Sequence, residues 1–251
     1  MIKLGIIGGS GLENLNLFSD YTIVEHNTKF GLPSSPIISG KIDGLEISII
    51  SRHGKQHTIP PTQVNNRANI MALKELGCTH LIATTACGSL KDEFKPGDLV
   101  VPDQFIDFTR HRPITFFESF EPEKMMHTPM ADPFDNNLRN IVFKIGTNLN
   151  FRIHNKGTIV TIEGPRFSSR AESNMFRMWG ADLINMSTAP EVILANEAQI
   201  PYVAIALSTD YDCWKTDIEP VSWESVLEVF NKNVNNVTLL LLEIIKSMKN
   251  I

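Results

Sequence analysis

The chain is poor in cysteine, and its three cysteines offer no pairing pattern. Cys78, Cys87 and Cys213 are odd in number and include no Cys-x-x-Cys motif. This argues against a disulfide framework and against a zinc ribbon, and it is typical of a reducing cytosol. A net charge of −5 gives no electrostatic reason to expect a nucleic-acid partner.

Long hydrophobic runs are missing as well. No apolar stretch approaches the ~20 residues that a transmembrane helix needs. The chain enters a strand pattern at residue 3, without the charged and apolar regions of a signal peptide. We therefore expect a cytoplasmic protein that uses neither a membrane nor nucleic acid as a partner.

What the chain does have is an alternation of strand and helix patterns. Its 251 residues are 42% hydrophobic, enough for a substantial core. Apolar runs typical of buried strands occur at 3–7, 45–51, 81–85, 98–101, 158–162, 182–186 and 203–208. Helical patterns occur at 61–76, 133–149, 168–179, 190–199 and from residue 222 onward. The alternation predicts one α/β domain over residues 1–251, with a mixed or largely parallel central β-sheet flanked by helices.

One segment does not fit this alternation. Residues 107–131 are rich in Phe, Pro, His and Met and lack periodicity. A loop of that length in a compact domain is usually functional or a subunit contact.

The apolar run 203–208 is followed by Thr-Asp-Tyr-Asp, which places Asp210 and Asp212 two residues apart. In a strand-like conformation, residues at this spacing point to the same side, so both carboxylates could face one ligand. Acids at the end of a buried strand lie where open α/β sheets bind ligands. A polar turn with solvated acids is the alternative interpretation.

Two other strand ends carry potential donors for an anion. Gly-Gly-Ser-Gly at 8–11 would let backbone N–H groups approach, but it lacks the lysine of a P-loop and the third glycine of a dinucleotide motif. A tight turn is equally compatible. Arg52 offers a planar fork suited to phosphate, although a surface arginine is the alternative. His53 and His57 lack a third ligand at suitable spacing, so we expect no metal site.

Hydroxyl groups follow three further strand patterns. Thr85 and Ser89 flank Ala-Cys-Gly in a possible second anion cradle, where Cys87 is interpreted as a small buried filler. At 161–170, Ser168 or Ser169 can cap the next helix with Glu172 as partner. Phe167 precedes that helix and could stack on a flat ring, although a core position is the commoner fate. The third of these patterns, the apolar run 182–186, is followed by Ser187.

Together these motifs resemble those of the trimeric purine nucleoside phosphorylase family, and within it the methylthioadenosine phosphorylases. The motifs are Gly-Gly-Ser-Gly at 8–11, Arg-His-Gly at 52–54, Thr-Thr-Ala-Cys-Gly-Ser at 84–89, Glu-Gly-Pro-Arg-Phe-Ser-Ser at 163–169, Asn-Met-Ser at 185–187 and Ser-Thr-Asp-Tyr-Asp-Cys-Trp at 208–214. The resemblance covers residues 2–241 and implies that family's fold.

The resemblance also implies an activity: phosphorolysis of 5′-methylthioadenosine to adenine and 5-methylthioribose 1-phosphate, by a homotrimer without cofactor or metal. It implies that phosphate is bound by Ser10, Arg52, His53, Thr85, Ala86 and Ser187. It implies that the nucleoside is contacted by His57, Phe167, Met186, Thr209, Asp210, Asp212 and, from a neighbouring subunit, His127. Substrate specificity is implied for Ser168, Trp223, Val226 and Leu227.

Chemistry agrees with this assignment. Cleavage of an N-glycosidic bond builds positive charge on the sugar and negative charge on the departing base. A positioned phosphate beneath the anomeric carbon serves as nucleophile and counter-charge. A carboxylic acid whose pKa is raised by partial burial can protonate N7 of the base, and that catalytic role is implied for Asp210. Asp212 would read the 6-amino side.

Three alternatives are weighed against this interpretation. A broader nucleoside phosphorylase would act on adenosine or 6-oxopurine nucleosides, but the 6-oxopurine relatives carry Asn where Asp210 stands and Glu where Ser168 stands. An oxidoreductase would need the third glycine and an acid near residue 30. A nucleoside-binding protein without catalysis would be expected to lack Asp210 or Arg52, and both are present.

Overall fold

The computed structural model describes residues 2–9, 18, 20–219 and 221–249. Ser10, one of the expected phosphate ligands, therefore lies outside the described residues. The strands are β1 (Lys3–Gly8), β2 (Tyr21–Val24), β3 (Ile37–Ile42), β4 (Leu45–Ser51), β5 (His80–Ser89), β6 (Leu99–Val100), β7 (Gln104–Phe108), β8 (Ile153–His154), β9 (Thr158–Ile162), β10 (Leu183–Asn185) and β11 (Tyr202–Asp210). The helices are α1 (Asn66–Glu75), α2 (Asn136–Asn148), α3 (Arg170–Met178), α4 (Thr188–Glu197) and α5 (Trp223–Met248).

These strands form one mixed sheet, which confirms the predicted fold class. Four strands carry no apolar run that predicts them: β2 is largely exposed, β3 contains glycine and lysine, β7 is only partly buried and β8 has two residues. The predicted helix 61–76 is shorter than its pattern. It opens as a 3₁₀ turn, Pro61–Gln63, and α1 starts only where the Asn65 side chain accepts from the backbone N–H of Ala68.

Alternating side chains bury both faces of the sheet. In β11, Val203, Ile205 and Leu207 point to the face covered by α2 and α5, whereas Ala204 and Ala206 point to the face covered by α1 and α4. Because both faces are buried, the strand reads as a continuous apolar run rather than an alternating one. Within the described part of the chain, no helix combines the length and apolar character needed to cross a bilayer.

Strand β5 changes partner along one of its edges. Its first half pairs in parallel with β1, as far as Ala83, and its last two residues pair antiparallel with β10 at Gly88 and Ser89. The opposite edge pairs with β11 from Leu81 to Gly88. Among the described residues no strand pairs with 84–87 along the first edge, so a gap opens in the middle of the sheet.

The gap corrects one feature of the sequence interpretation. The sequence interpretation places the anion-binding groups at the carboxyl ends of strands. In the structure, β9 and β10 run antiparallel to β5. The end of β10 reaches the same gap from the opposite direction, and residues 84–89 lie within β5 rather than after it. Residues of β5 and β10 therefore meet at the gap because the sheet is mixed.

The long helix α5 provides a test of the core. Phe230 is 2% exposed and packs in the layer beneath β11, whereas Leu239 on the same helix is 42% exposed. Phe230→Ala is expected to lower the free energy of unfolding by ~3–5 kcal/mol, because a large buried ring is lost and a cavity remains. Leu239→Ala is expected to stay within ~0.5 kcal/mol of the parent chain. Urea unfolding followed by fluorescence measures both, and equal losses would contradict this packing.

Candidate active site

A cavity of about 730 Å³ opens over the gap beside β5. This volume lies within the range of small-molecule sites. The cavity wall includes most of the residues expected from the sequence: Arg52, His53, His57, Thr85, Ala86, Phe167, Ser168, Met186, Ser187, Thr209, Asp210, Asp212, Trp223, Val226 and Leu227.

One end of the cavity is built around a buried arginine. Arg52 is 2% exposed, so it is not a surface residue. Its guanidinium makes a two-point ion pair with the fully buried carboxylate of Glu191, through Nε and through Nη2, the latter at 3.0 Å. Nη1 donates to the carbonyl of Thr84 at 2.9 Å, and the Tyr202 hydroxyl donates to Glu191 at 2.9 Å. These contacts fix the plane of the guanidinium beside the gap.

Glycine is required next to this arginine. A Cβ at Gly9 would lie 2.4 Å from the Thr84 carbonyl oxygen and 2.7 Å from Arg52 Nη1. The glycine of the first motif therefore permits close approach of β1, β5 and the guanidinium.

Hydroxyl groups line the gap next to the arginine. The Thr85 and Ser187 side-chain oxygens are 3.0 Å apart and buried. Ser187 precedes α4 as its N-cap residue, but its side chain makes no capping bond to the helix. Its hydroxyl contacts that of Thr85 instead.

The other end of the cavity carries the two acids. The Asp210 carboxylate accepts from the Thr209 hydroxyl at 2.8 Å and from the Asp212 backbone N–H at 2.7 Å. Burial raises the pKa of Asp210 above its ordinary value and outweighs these two hydrogen bonds, which act in the opposite direction. The pKa of Asp210 is therefore shifted in the direction that a general acid needs.

An irregularity in β11 aims this acid. The pairing of β11 with β5 shifts register between Ser208 and Asp210, as at a bulge. Asp210 then lies opposite Gly88, where a Cβ would come within 2.9 Å of the carboxylate. Asp212 is in a turn with φ of 50°, so the two acids share the cavity for a reason other than strand alternation.

Ser168 holds the second acid. Its hydroxyl lies 2.8 and 2.7 Å from the two carboxylate oxygens of Asp212. Ser169, rather than Ser168, is the N-cap residue of α3, and it forms a capping box with Glu172. Phe167 is 39% exposed and lines the cavity, so a core position for this ring is wrong.

Aromatic rings close the far side of the cavity. The His57 ring lies 4.5 Å from that of His53 and 5.3 Å from the indole of Trp223, measured between centroids. Val226 and Leu227 follow one turn later on α5 and complete an apolar wall. Among the described residues, no cluster of three or more His, Cys, Asp or Glu side chains could hold a metal ion.

Comparison with known proteins assigns the family. The model of the phosphorylase superfamily matches residues 3–246. The chain belongs to this superfamily. The S-methyl-5′-thioadenosine phosphorylases of Anopheles gambiae and Danio rerio are both 51% identical to it, over 97% and 96% of this chain and 88% and 87% of theirs. The methylthioadenosine phosphorylase of Schistosoma mansoni in complex with adenine superposes with a TM-score of 0.95 at 42% identity, over 100% of this chain and 93% of that one.

His127 stands apart from the cavity of this superfamily member. It is exposed in the segment 107–131, with its ring 6.0 Å from that of Phe120, and is not part of the cavity wall. Its expected contact from a neighbouring subunit stays a prediction. Cys87 is buried and its thiol donates to the Leu207 carbonyl; burial raises the pKa of this thiol well above its usual value, as befits a packed residue.

Two charged residues of the site are missed by sequence reasoning. Glu191 reads as an ordinary acid in the first turn of α4, yet its carboxylate neutralises Arg52. Arg112, in the segment 107–131, is buried and donates to the backbone carbonyls of Ile162, Glu163 and Met186, as well as to the Glu163 side chain. It ties together two strand ends that border the cavity. No local signal marks either residue, because both act on partners distant in sequence.

The buried pair of Arg52 and Glu191 makes a stability prediction. Glu191→Ala is expected to lower the free energy of unfolding by ~3–5 kcal/mol, because the arginine loses the carboxylate that neutralises it. Glu228 serves as the control, since its pair with Lys232 is exposed. Glu228→Ala should leave the unfolding midpoint essentially unchanged. Urea denaturation compares the two, and equal midpoints would contradict a structural role for the buried pair.

Proposed function

We propose that this protein catalyses the phosphorolysis of S-methyl-5′-thioadenosine, releasing adenine and 5-methylthioribose 1-phosphate. The observation that carries the proposal is the pairing of two chemistries in one cavity. A fixed arginine and two hydroxyls lie at one end, and a carboxyl with a raised pKa lies at the other. The names of the relatives in several animals support the same reaction.

Phosphate is proposed to bind at the gap beside β5. Arg52, His53, Thr85, Ala86 and Ser187 border this part of the cavity, and Ser10 is proposed to join them. A planar guanidinium and hydroxyl donors suit a tetrahedral anion. Held there, phosphate is both nucleophile and counter-charge for the cationic sugar of the transition state. Positioning of this kind can contribute roughly 7–11 kcal/mol to lowering the barrier.

Adenine is proposed to lie at the acid end. Asp210 donates its proton to N7, so that the base departs neutral rather than as an anion. Asp212, held by Ser168, accepts a hydrogen bond from the 6-amino group, while Thr209 orients Asp210. Phe167 lies against the purine face.

The sugar and the methylthio group are proposed to occupy the middle and the aromatic side. Met186 contacts the ribose through its backbone, and His57, Trp223, Val226 and Leu227 enclose the 5′ group. Inorganic phosphate is the co-substrate, and no cofactor takes part. The proposal includes a cytoplasmic homotrimer in which His127 of a neighbouring subunit completes this wall, since it is exposed in the aperiodic segment.

The acid role of Asp210 predicts both a rate and a pH profile. Asp210→Asn is expected to lower turnover of methylthioadenosine about 100-fold, because general-acid catalysis is lost. Since burial raises the pKa of Asp210, the parent enzyme should keep its turnover below that raised pKa and lose it as the pH rises through it. Adenine release at saturating phosphate, measured from pH 5 to pH 9, gives both quantities.

The matched control is Asp217→Asn, since Asp217 is exposed and outside the cavity wall. It should keep the parent rate and the parent pH profile. An Asp210→Asn enzyme with unchanged turnover, or with the parent alkaline limb intact, would remove Asp210 from the chemistry.

The aromatic side of the cavity, formed by His57 and Trp223, predicts how the 5′ group of the nucleoside is selected. Trp223 stacks near His57 at the 5′ side of the cavity, so Trp223→Val is expected to change the ratio of kcat/KM for adenosine to that for methylthioadenosine. Hydrophobic pockets discriminate a methylene-sized change by about 10–200-fold at most. Trp179→Val is the control, because Trp179 is exposed at the end of α3. An identical ratio in all three proteins would place Trp223 away from the 5′ group.

A further inference from the structure

A buried amide lies beside the two hydroxyls of the gap and lines the same cavity. Asn185, the last residue of β10, is 5% exposed. Its side chain contacts four hydroxyl-bearing residues: Thr85, Thr161, Ser187 and Thr188. Sequence reasoning gives this asparagine no role beyond its place in a motif.

The orientation of the amide is fixed by main-chain donors. The backbone N–H groups of Ser187 and Thr188 both point at Oδ1, at 3.4 and 3.5 Å. Thr161 also donates to Oδ1 at 2.8 Å, while its own oxygen accepts from the backbone N–H of Ala189 at 3.0 Å. A flipped amide would direct N–H groups at two backbone N–H groups. The carbonyl oxygen must therefore face α4.

The amide nitrogen consequently faces the gap. Nδ2 lies 3.0 Å from the Thr85 oxygen, 3.3 Å from the Ser187 oxygen and 2.6 Å from the Thr188 oxygen. An amide nitrogen can only donate, and its two protons are shared among these three oxygens, which act as acceptors. A hydroxyl has one proton, and one that accepts here directs that proton elsewhere. Thr85 and Ser187 both border the cavity. Their oxygens lie 3.0 Å apart, and the Thr85 hydroxyl donates to the Ala86 carbonyl at 3.1 Å, so neither proton of this pair is directed at Asn185.

We propose that Asn185 is a positioning residue that sets the polarity of the anion site. By donating to the Thr85 and Ser187 pair rather than accepting from it, Asn185 leaves the protons of these two hydroxyls for other acceptors, and a bound phosphate can take them. The inference rests on the proposed function, in which these two hydroxyls hold the phosphate. The role requires a hydrogen-bond donor at position 185, not only a side chain of the right shape. An aspartate would fill the same space, but it would accept the hydroxyl protons and bring a negative charge towards the anion.

The test compares Asn185→Asp with Asn185→Ala in the full-length enzyme. The readout is KM for phosphate, which is independent of the fraction of protein that is folded. We expect Asn185→Asp to raise KM for phosphate by tenfold or more, and Asn185→Ala by a smaller factor, with kcat at saturating phosphate less affected in both. A role in packing alone predicts the reverse order, because aspartate matches asparagine in shape and alanine leaves a cavity.

A matched control exists in the same region. Asn196, on α4, donates its amide to the carbonyls of Pro133 and Val192, each at 2.8 Å, and lies outside the cavity wall. Asn196→Asp likewise replaces a donating amide by a carboxylate, and it should leave KM for phosphate unchanged. An increase equal to that of Asn185→Asp would overturn the proposal, since the effect would then be a general response to a misplaced carboxylate.

Thr85→Val separates this inference from the function on which it rests. If Thr85→Val raises KM for phosphate while neither Asn185 variant does, the positioning role is overturned and the phosphate site stands. If Thr85→Val leaves KM for phosphate unchanged, the phosphate role of Thr85 fails and the inference fails with it. If Asn185→Asp does not fold, Asn185→Ala decides. An unchanged KM for phosphate in Asn185→Ala overturns the positioning role. The role is supported if Asn185→Ala raises KM for phosphate and the double variant with Thr85→Val raises it no further.

Discussion

The site depends on a strand that lacks a neighbour for part of its length. Where the edge of β5 passes from β1 to β10, its residues 84–87 have no strand on that side among the described residues, although their other edge pairs with β11. A buried carbonyl without a partner is costly. The Thr84 carbonyl accepts from Arg52 instead. Arg52 thus supplies a hydrogen bond that a neighbouring strand would otherwise provide.

Other features follow from that placement. A buried guanidinium needs a counter-charge, and Glu191 supplies it from the first turn of α4, with Tyr202 donating to the same carboxylate. Gly9 makes the approach of the strands possible. The result is a buried, neutralised guanidinium in the same cavity wall as the Thr85 and Ser187 hydroxyls. In the proposed function, the contacts that stabilise the fold here also orient the groups that bind phosphate.

The acid end depends on a different device. The register shift in β11 and the absence of a side chain at Gly88 bring the Asp210 carboxylate to the cavity. The same burial that makes this position compact raises the pKa of the acid. An ordinary solvated aspartate would be ionised and could not donate a proton. Arg52 and Asp210 line one cavity, and the proposed function assigns phosphate to the first and the purine to the second.

Local patterns in the sequence predict the fold class, and the family resemblance implies most of the cavity wall. Buried strands such as β4 and β11 read as apolar runs, and the motifs within or after such runs include Arg52, Thr85 and Asp210. Edge strands such as β2 are missed because exposed strands carry no apolar run. The roles of Glu191 and Asn185 are missed because they arise from partners up to 139 residues away.

The most direct test of this account is a crystal structure of the protein soaked with a methylthioadenosine analogue that resists cleavage, together with sulfate in place of phosphate. The account predicts sulfate in contact with Arg52, Thr85 and Ser187, and N7 of the purine within hydrogen-bond distance of Asp210. A sulfate elsewhere, or a purine whose N7 is remote from Asp210, would contradict it.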